Sequence, residues 1–376
     1  MGSWINRHLS IEENLQKGKV LIIYGPRQIG KTSLIDNFKK KTKLKTLNTT
    51  GENIRIRTIF EQGDLEEILA FVEGYELLII DEAQTINNIG FAFKLLTDHN
   101  KELTIIATGS SSFELANQVG EPLVGRKRTV EMFPISMLEL KNSYNNYELK
   151  EKLEEFLIYG FYPEVITAKT SARKQSIATE IATSYLFKDI LMLDNILSSS
   201  KINQIVRMLA FQIGSEVSFN EIATKVGLDV KTVSKYLDIL EKSFVLKSLG
   251  GYSGNLRDEV TQKRKYYFYD TGIRNALVAN FNPIELRNDV GALWENFLVM
   301  ERFKRNAYQE VVSNYYFWRT YQSGEIDFIE EREGKLFAYE FKWGKKPAKF
   351  PKKFTSTYTD SETFLVNQVN CLEFIL

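Results

Sequence analysis

Nine residues, Gly25 to Ser33 (GPRQIGKTS), constrain this chain more than any other stretch. They follow a short apolar run, Val20 to Tyr24, and open a helical pattern through Leu34. Strand, glycine-bearing loop and helix in that order form a phosphate-binding loop. Glycine leaves room for backbone N–H groups to curl around anionic oxygens, and a lysine neutralises the β- and γ-phosphates. Gly25, Pro26, Arg27, Gln28, Ile29, Gly30, Lys31, Thr32 and Ser33 are therefore expected to line a nucleotide site. Gly25, Gly30 and Lys31 hold the phosphates, while Arg27 faces either the adenine side or a bound partner.

At 376 residues the chain is too long for one ordinary core, so two or three domains are expected. No run reaches about 18 apolar residues and no basic-then-apolar leader opens the chain, so a cytoplasmic protein with no membrane partner is expected. One cysteine, Cys371, forms no internal disulfide, and two histidines, His8 and His99, cannot build a zinc cluster of usual spacing. Any metal is then a hard cation on oxygen ligands. A formal charge of +1 argues against attraction of nucleic acid by the whole surface, although local basic patches are still allowed.

The context of the loop strengthens the reading. A second apolar run, Leu77 to Ile80, ends in Asp81-Glu82. Thr32 and Asp81 are expected to hold Mg2+, directly or through water, and Glu82 to polarise the attacking water. A third run, Leu103 to Ala107, leads into Thr108-Gly109-Ser110-Ser111. With these strands side by side, Thr108 or Ser110 can orient water against the γ-phosphate. Next comes the basic turn Gly125-Arg126-Lys127-Arg128. Arg126, with Arg128 in reserve, can neutralise charge on the transferred phosphoryl group, within one chain or across an interface; the alternative is a solvated basic turn.

These stretches resemble a widespread prokaryotic family of AAA-type ATPases that carry GPRQxGKT, a DEAQ-like strand end, TGSSS, L-x-G-R and ExxPxS. Here they are Gly25 to Thr32, Asp81 to Gln84, Thr108 to Ser112, Leu123 to Arg126 and Glu131 to Ser136. The resemblance continues through Tyr159 to Glu164, Tyr269 to Gly272 and Leu293 to Phe297, and so covers nearly the whole chain. It implies ATP binding with Mg2+ on an α/β P-loop NTPase fold, and a C-terminal region whose biochemical role is unsettled.

Beyond residue 140 the pattern turns helical, with periods over Leu149 to Tyr159 and Ile177 to Leu193. Ser218-Phe219-Asn220-Glu221 reads as a capping box; a helix follows to Val226, Gly227 turns it, and Asp229 caps a second helix to about Lys242. Ile205, Met208 and Leu209 supply a third helix, and strands near Val245 to Leu249 and Lys265 to Tyr269 complete a winged-helix pattern. Val233, Tyr236, Leu237 and Leu240 are expected inside, with Lys231, Thr232, Ser234 and Lys235 available to a DNA groove. Arg257, Lys263, Arg264 and Lys265 add charge nearby. Winged helices also bind proteins, so double-stranded DNA and a protein partner or homo-oligomer both stand as expected partners.

The last third carries a sparser set. Glu295 lies in a helical stretch from Ala292 to Phe303, Asp327 in the strand pattern Glu325 to Ile329, and Glu340 with Lys342 in a strand from Leu336 to Trp343. Period-two geometry puts Glu340 and Lys342 on one face. This resembles the PD-(D/E)xK nuclease fold, with Ile326-Asp327 in place of the usual proline-aspartate pair. The resemblance implies Glu295, Asp327 and Glu340 as metal ligands and Lys342 as the residue that orients or activates water. A solvated surface pair is the alternative. The basic run through Lys345, Lys346, Lys349, Lys352 and Lys353 could guide a nucleic-acid backbone.

The expected organisation is an AAA-type ATPase domain over 1–140, a helical connector over 141–200, a winged helix over 201–270 and an α/β restriction-endonuclease-like domain over 271–376. The expected function is Mg2+-dependent ATP hydrolysis coupled to DNA binding. A nucleotide-controlled protein-binding switch and an ATP-dependent DNA nuclease are the alternatives.

Overall fold

A computed structural model describes residues 5–110, 123–185, 199–253, 264–320, 324–345, 347 and 349–376. Ser111, Ser112, Leu193, Arg257, Lys263 and Lys346, all used in the reading above, lie outside the described residues.

The first layer is a five-stranded sheet ordered β2-β3-β4-β1-β5, from β1 (Val20–Tyr24), β2 (Thr46–Thr50), β3 (Leu77–Asp81), β4 (Thr104–Gly109) and β5 (Lys127–Glu131). Every pairing in it is parallel. Parallel sheets are covered on both faces, which is why β1 and β3 read as unbroken apolar runs. On one face Val20, Ile22, Leu78 and Ile80 pack under α2 (Ile54–Gln62), α3 (Leu65–Phe71) and α4 (Ile89–His99). On the other, Leu21, Ile23, Leu77 and Ile79 pack with Leu34, Ile35 and Phe38 of α1 (Lys31–Lys39).

That second face does not close a separate core. The same apolar cluster runs on through α5 (Leu153–Tyr159), α6 (Ser199–Phe211), α7 (Phe219–Val226) and α8 (Val230–Lys242), as far as Ile375. The helix expected over Leu149 to Tyr159 is interrupted at Lys152, which splits it into Asn146–Glu151 and α5.

A second, seven-stranded sheet is ordered β12-β11-β10-β9-β7-β8-β6. Its strands are β6 (Glu216–Val217), β7 (Leu246–Gly251), β8 (Arg264–Phe268), β9 (Asn314–Arg319), β10 (Glu325–Arg332), β11 (Lys335–Phe341) and β12 (Glu362–Val366). Parallel pairing of β7 with β9 makes the sheet continuous across residue 270, where a boundary was expected. Helices α9 (Thr271–Leu277) and α10 (Val290–Tyr308) lie between β8 and β9 in the chain.

Two stretches that the sequence singles out meet here. Asp270 caps α9 through the Ile273 N–H at 3.0 Å and also accepts from the Phe161 N–H at 2.6 Å. Asn275 donates to the carbonyls of Leu157 and Ile158 at the end of α5, and Thr271 to that of Phe156, which also accepts from the Gly160 N–H. The last carbonyls of one helix are thus satisfied by side chains of another. The Ser218 box forms only in part: Ser218 accepts from the Glu221 N–H, but the Glu221 carboxylate pairs with Lys225 at 2.6 Å instead of reaching back. The four expected inward residues of α8 are buried.

Candidate functional site: the phosphate loop and the strand ends beside it

The loop leaves the end of β1 and closes into α1. Gly25 is required by close approach, since a Cβ there would stand 2.0 Å from the Met132 carbonyl oxygen. Gly30 caps α1 at φ +94°, a left-handed geometry that glycine accepts without strain. Lys31 is buried and donates to the Gly25 and Pro26 carbonyls, both at 2.7 Å, so its ammonium is folded back onto the loop.

The strand ends bring the expected polar set together. The Thr32 hydroxyl donates to Asp81 Oδ2 at 2.9 Å. The Thr108 hydroxyl donates to Asp81 Oδ1 and accepts from the Glu82 N–H at 3.2 Å. Glu82 has φ +51°, unusual for a residue with a side chain and the kind of strain found at working sites. Its carboxylate accepts from the Gln84 amide, which also donates to Ser110 at 3.1 Å. Thr108 and Ser110 are thereby distinguished: Thr108 braces Asp81, and Ser110 braces the amide that holds Glu82. Asp81 and Thr32 are hard oxygen donors of the kind Mg2+ takes, with room for water and phosphate oxygens in the remaining positions. They adjoin a cavity of about 340 Å3 lined by Asp36, Asn48 and Asn53 among others.

The arginines lie elsewhere. Parallel register sets Lys127 beside Val20 and Glu131 beside Tyr24, so Arg126 and Arg128 flank the end of β1 remote from the loop. Arg126 is paired with Asp98 at 2.7 Å, which holds the Asp98 carboxyl below its usual range, and Arg128 is paired with Glu310 at 2.8 Å. Neither reaches the phosphate loop of its own chain.

Sequence reasoning missed Arg7 and gave Gln84 no role. Arg7 is almost fully enclosed and donates to the Ile29 carbonyl of the loop at 2.6 Å, to Glu139 at 2.7 Å, to the Phe133 carbonyl at 2.5 Å and to Tyr308 of α10 at 3.3 Å. Nothing in the local pattern around Arg7 signals this, because all four partners are distant in the chain. Arg7→Met should weaken ATP binding about tenfold and lower stability by about 3 kcal/mol, since it removes a strut and leaves Glu139 buried without its cation. Calorimetry and thermal unfolding measure the two effects, and Arg7→Met/Glu139→Gln should recover part of the stability.

Behind the loop, Tyr24 packs on Phe244, Phe244 on Tyr269 and Tyr269 on Phe133, with ring centroids 5.6 to 6.1 Å apart. Tyr269 also donates to Glu131 at 3.1 Å. Burial raises the Glu131 carboxyl above its ordinary value, against the attraction of Lys247 and the Tyr269 hydrogen bond. A packed aromatic chain thus joins the root of the phosphate loop to the end of α8 and to β8.

The distal carboxylates gather without forming the expected metal set. Glu340 pairs with Lys342 at 2.5 Å, and Asp327 accepts from the Phe341 N–H at 2.8 Å. Glu295 accepts from the Tyr267 hydroxyl at 2.6 Å and from Lys265 at 3.1 Å. Burial lifts the Glu295 carboxyl to about 7, with Lys265 opposing the shift and Asp327 adding to it. Among the described residues, no three Asp, Glu, His or Cys side chains are arranged to hold a metal ion. The expectation that Glu295, Asp327 and Glu340 share a cation is therefore not met by this geometry. Lys265, expected on a DNA-facing patch, is buried among these carboxylates instead.

Among the described residues, no helix is long and apolar enough to cross a membrane. Comparison with known proteins matches residues 150–284 to a domain of unknown function, DUF8612, and residues 290–371 to another, DUF4143. An uncharacterized protein of Mycobacterium tuberculosis is 25% identical over 337 residues, covering 89% of this chain and 72% of its own length. One of Methanocaldococcus jannaschii is 24% identical over 352 residues, covering 88% and 76%. A structure of Drosophila ORC bound to AT-rich DNA and Cdc6 aligns at 13% identity over 70% of this chain and 86% of that one, with a TM-score of 0.25, too low to bear on the fold. Residues 17–141 match the AAA domain. With the loop and strand ends described above, this part of the chain is an AAA-type P-loop ATPase domain, and the region that follows it is of uncharacterized type.

Proposed function

We propose that the chain is a Mg2+-dependent ATPase whose nucleotide state controls binding by the region after residue 140. The Thr32–Asp81 contact at the mouth of the loop, with Glu82 held beside it, carries this reading. The loop N–H groups gather the phosphates while Lys31 turns from the loop carbonyls to the β- and γ-oxygens. Thr32 and Asp81 would hold Mg2+, which neutralises phosphate charge. Glu82, released by Gln84, orients the water that attacks the γ-phosphate. Since Arg126 and Arg128 lie away from their own loop, the arginine that meets the transferred phosphoryl group comes from a neighbouring copy, in a homo-oligomer.

For the region beyond, helices α6, α7 and α8 over the antiparallel β6-β8-β7 strands support a winged-helix reading, with Lys231, Ser234 and Lys235 exposed on α8. Double-stranded DNA is the partner this favours. A second reading, a protein-binding switch, is favoured by the groove of about 870 Å3 there, where Asp238 and Glu241 stand with Lys231, Lys235 and Arg264 beside Phe219 and Val230. The third, an ATP-dependent nuclease, rests on the sequence pattern of Asp327, Glu340 and Lys342 alone, since among the described residues no three carboxylates are arranged to hold a metal ion.

Calorimetry with ATP and Mg2+ tests the core of the proposal: binding is expected in the native chain and lost in Lys31→Ala. No binding at millimolar nucleotide would end the reading. Anisotropy of a labelled duplex, with and without ATP, then separates the partners. Lys231→Glu/Lys235→Glu should weaken DNA binding at least tenfold if α8 meets phosphates. Absence of DNA binding in the native chain favours the protein partner. Cleavage that needs Mg2+ or Mn2+ and vanishes in Glu340→Ala would favour the nuclease.

A further inference from the structure

Four carboxylates lie close enough to interact: Glu295 from α10, Glu325 and Asp327 from β10, and Glu340 from β11. A cluster like this needs cationic charge, because unpaired carboxylates taken out of water are costly. Lys265 supplies it. Its side chain is 1% exposed, and its ammonium stands 2.7 Å from Glu325 Oε1 and 3.1 Å from Glu295 Oε1, over the ring of Phe317. Burial alone would lower its pKa, but Glu295, Glu325 and Asp327 together outweigh that and raise it. Lys342, partly exposed, pairs with Glu340.

The origin of Lys265 matters. It belongs to β8, on the opposite side of residue 270 from all four carboxylates. The loop after α6 closes the same side: a Cβ on Gly214 would lie 3.0 Å from Glu295 Oε2. The cluster is thus capped by the preceding part of the chain. Mg2+ would need one or two of these carboxylates at about 2.0 to 2.1 Å. On Glu295 or Glu325 it would compete directly with the Lys265 ammonium.

We propose that Lys265 stands in the cation position of this cluster, so that the native chain takes up no divalent ion there, and that the carboxylates act as a clasp holding β8 to α10 and β10. A nuclease-like arrangement is in this way converted to an internal ion-pair joint. The proposal is independent of the ATPase reading, since no part of it involves the phosphate loop.

Mn2+ titration without nucleotide, followed by the electron-paramagnetic-resonance signal of the free ion, tests it. The native chain and Asp327→Asn should bind Mn2+ identically, any weak uptake at Asp81 being common to both. Lys265→Met should gain an Mn2+ site, with a melting temperature that rises on Mn2+ addition, and Lys265→Met/Asp327→Asn should lose both gains. Native uptake that Asp327→Asn or Glu325→Gln removes would overturn the proposal, as would folded Lys265→Met with no gained site. If Lys265→Met does not fold, the comparison of native chain with Asp327→Asn and Glu325→Gln decides alone.

Discussion

Glu82→Gln should leave ATP bound to the protein within a few-fold of native affinity while lowering its turnover at least about 100-fold. The two effects separate because Glu82 stands beside the phosphate-holding groups and is not one of them. Lys31, Thr32 and the loop N–H groups are untouched by the change, and Gln nearly matches Glu in volume. What is lost is the negative oxygen that polarises water. The backbone at residue 82, held at φ +51° by hydrogen bonds from its N–H to Asp81 and Thr108, should keep its geometry in the variant. Phosphate release measured alongside calorimetric ATP binding gives both numbers, and native turnover in the variant would remove Glu82 from the role. Because Gln84 holds the Glu82 carboxylate and is itself braced by Ser110, these residues set where that oxygen rests before nucleotide arrives.

The largest effect on stability is expected from Gly272→Ala. A Cβ at that position would lie 1.9 Å from the Tyr159 carbonyl oxygen and 2.9 Å from the Gly160 nitrogen. Both obstacles are backbone atoms, so no side-chain rotation can relieve them. The start of α9 would have to lift off the end of α5, breaking the Asp270, Thr271 and Asn275 hydrogen bonds that cap it. A loss of about 3 kcal/mol or more is expected, from overpacking plus newly unsatisfied buried carbonyls. Gly291→Ala is the control, since its Cβ would meet nothing within 4 Å near the start of α10. It should be neutral or slightly stabilising. Thermal unfolding of the two variants beside the native chain measures the difference, and equal melting temperatures would show that the α5–α9 contact yields.

The phosphate-binding loop and the strand ends beside it were legible because their geometry is local. A loop that wraps phosphate needs Gly25, Gly30 and Lys31 within a few residues of one another, and a parallel strand end places Asp81-Glu82 next to it by topology alone. The two helices on either side of Gly227 were legible for a similar reason: Gly227, Asp229 and the apolar period of α8 act within a turn or two. The shared core was not, because the apolar residues that bind the parts together look in sequence like ordinary interior positions of separate domains. Arg7 was invisible on the same ground, its partners lying between 22 and 301 residues away.

The amino-acid order by itself determined where the phosphate-binding loop lies and which residue types line it, since those requirements are met by short-range backbone conformation and strand alternation. Only the tertiary structure decided what the charged residues far apart in the chain do. It turned Arg126 and Arg128 away from their own loop, locked Asp270 against Phe161, and drove Lys265 into the carboxylates of another part of the chain. Charge pairing acts through space over a few ångströms, and which charges come that close is set by how the sheets are joined.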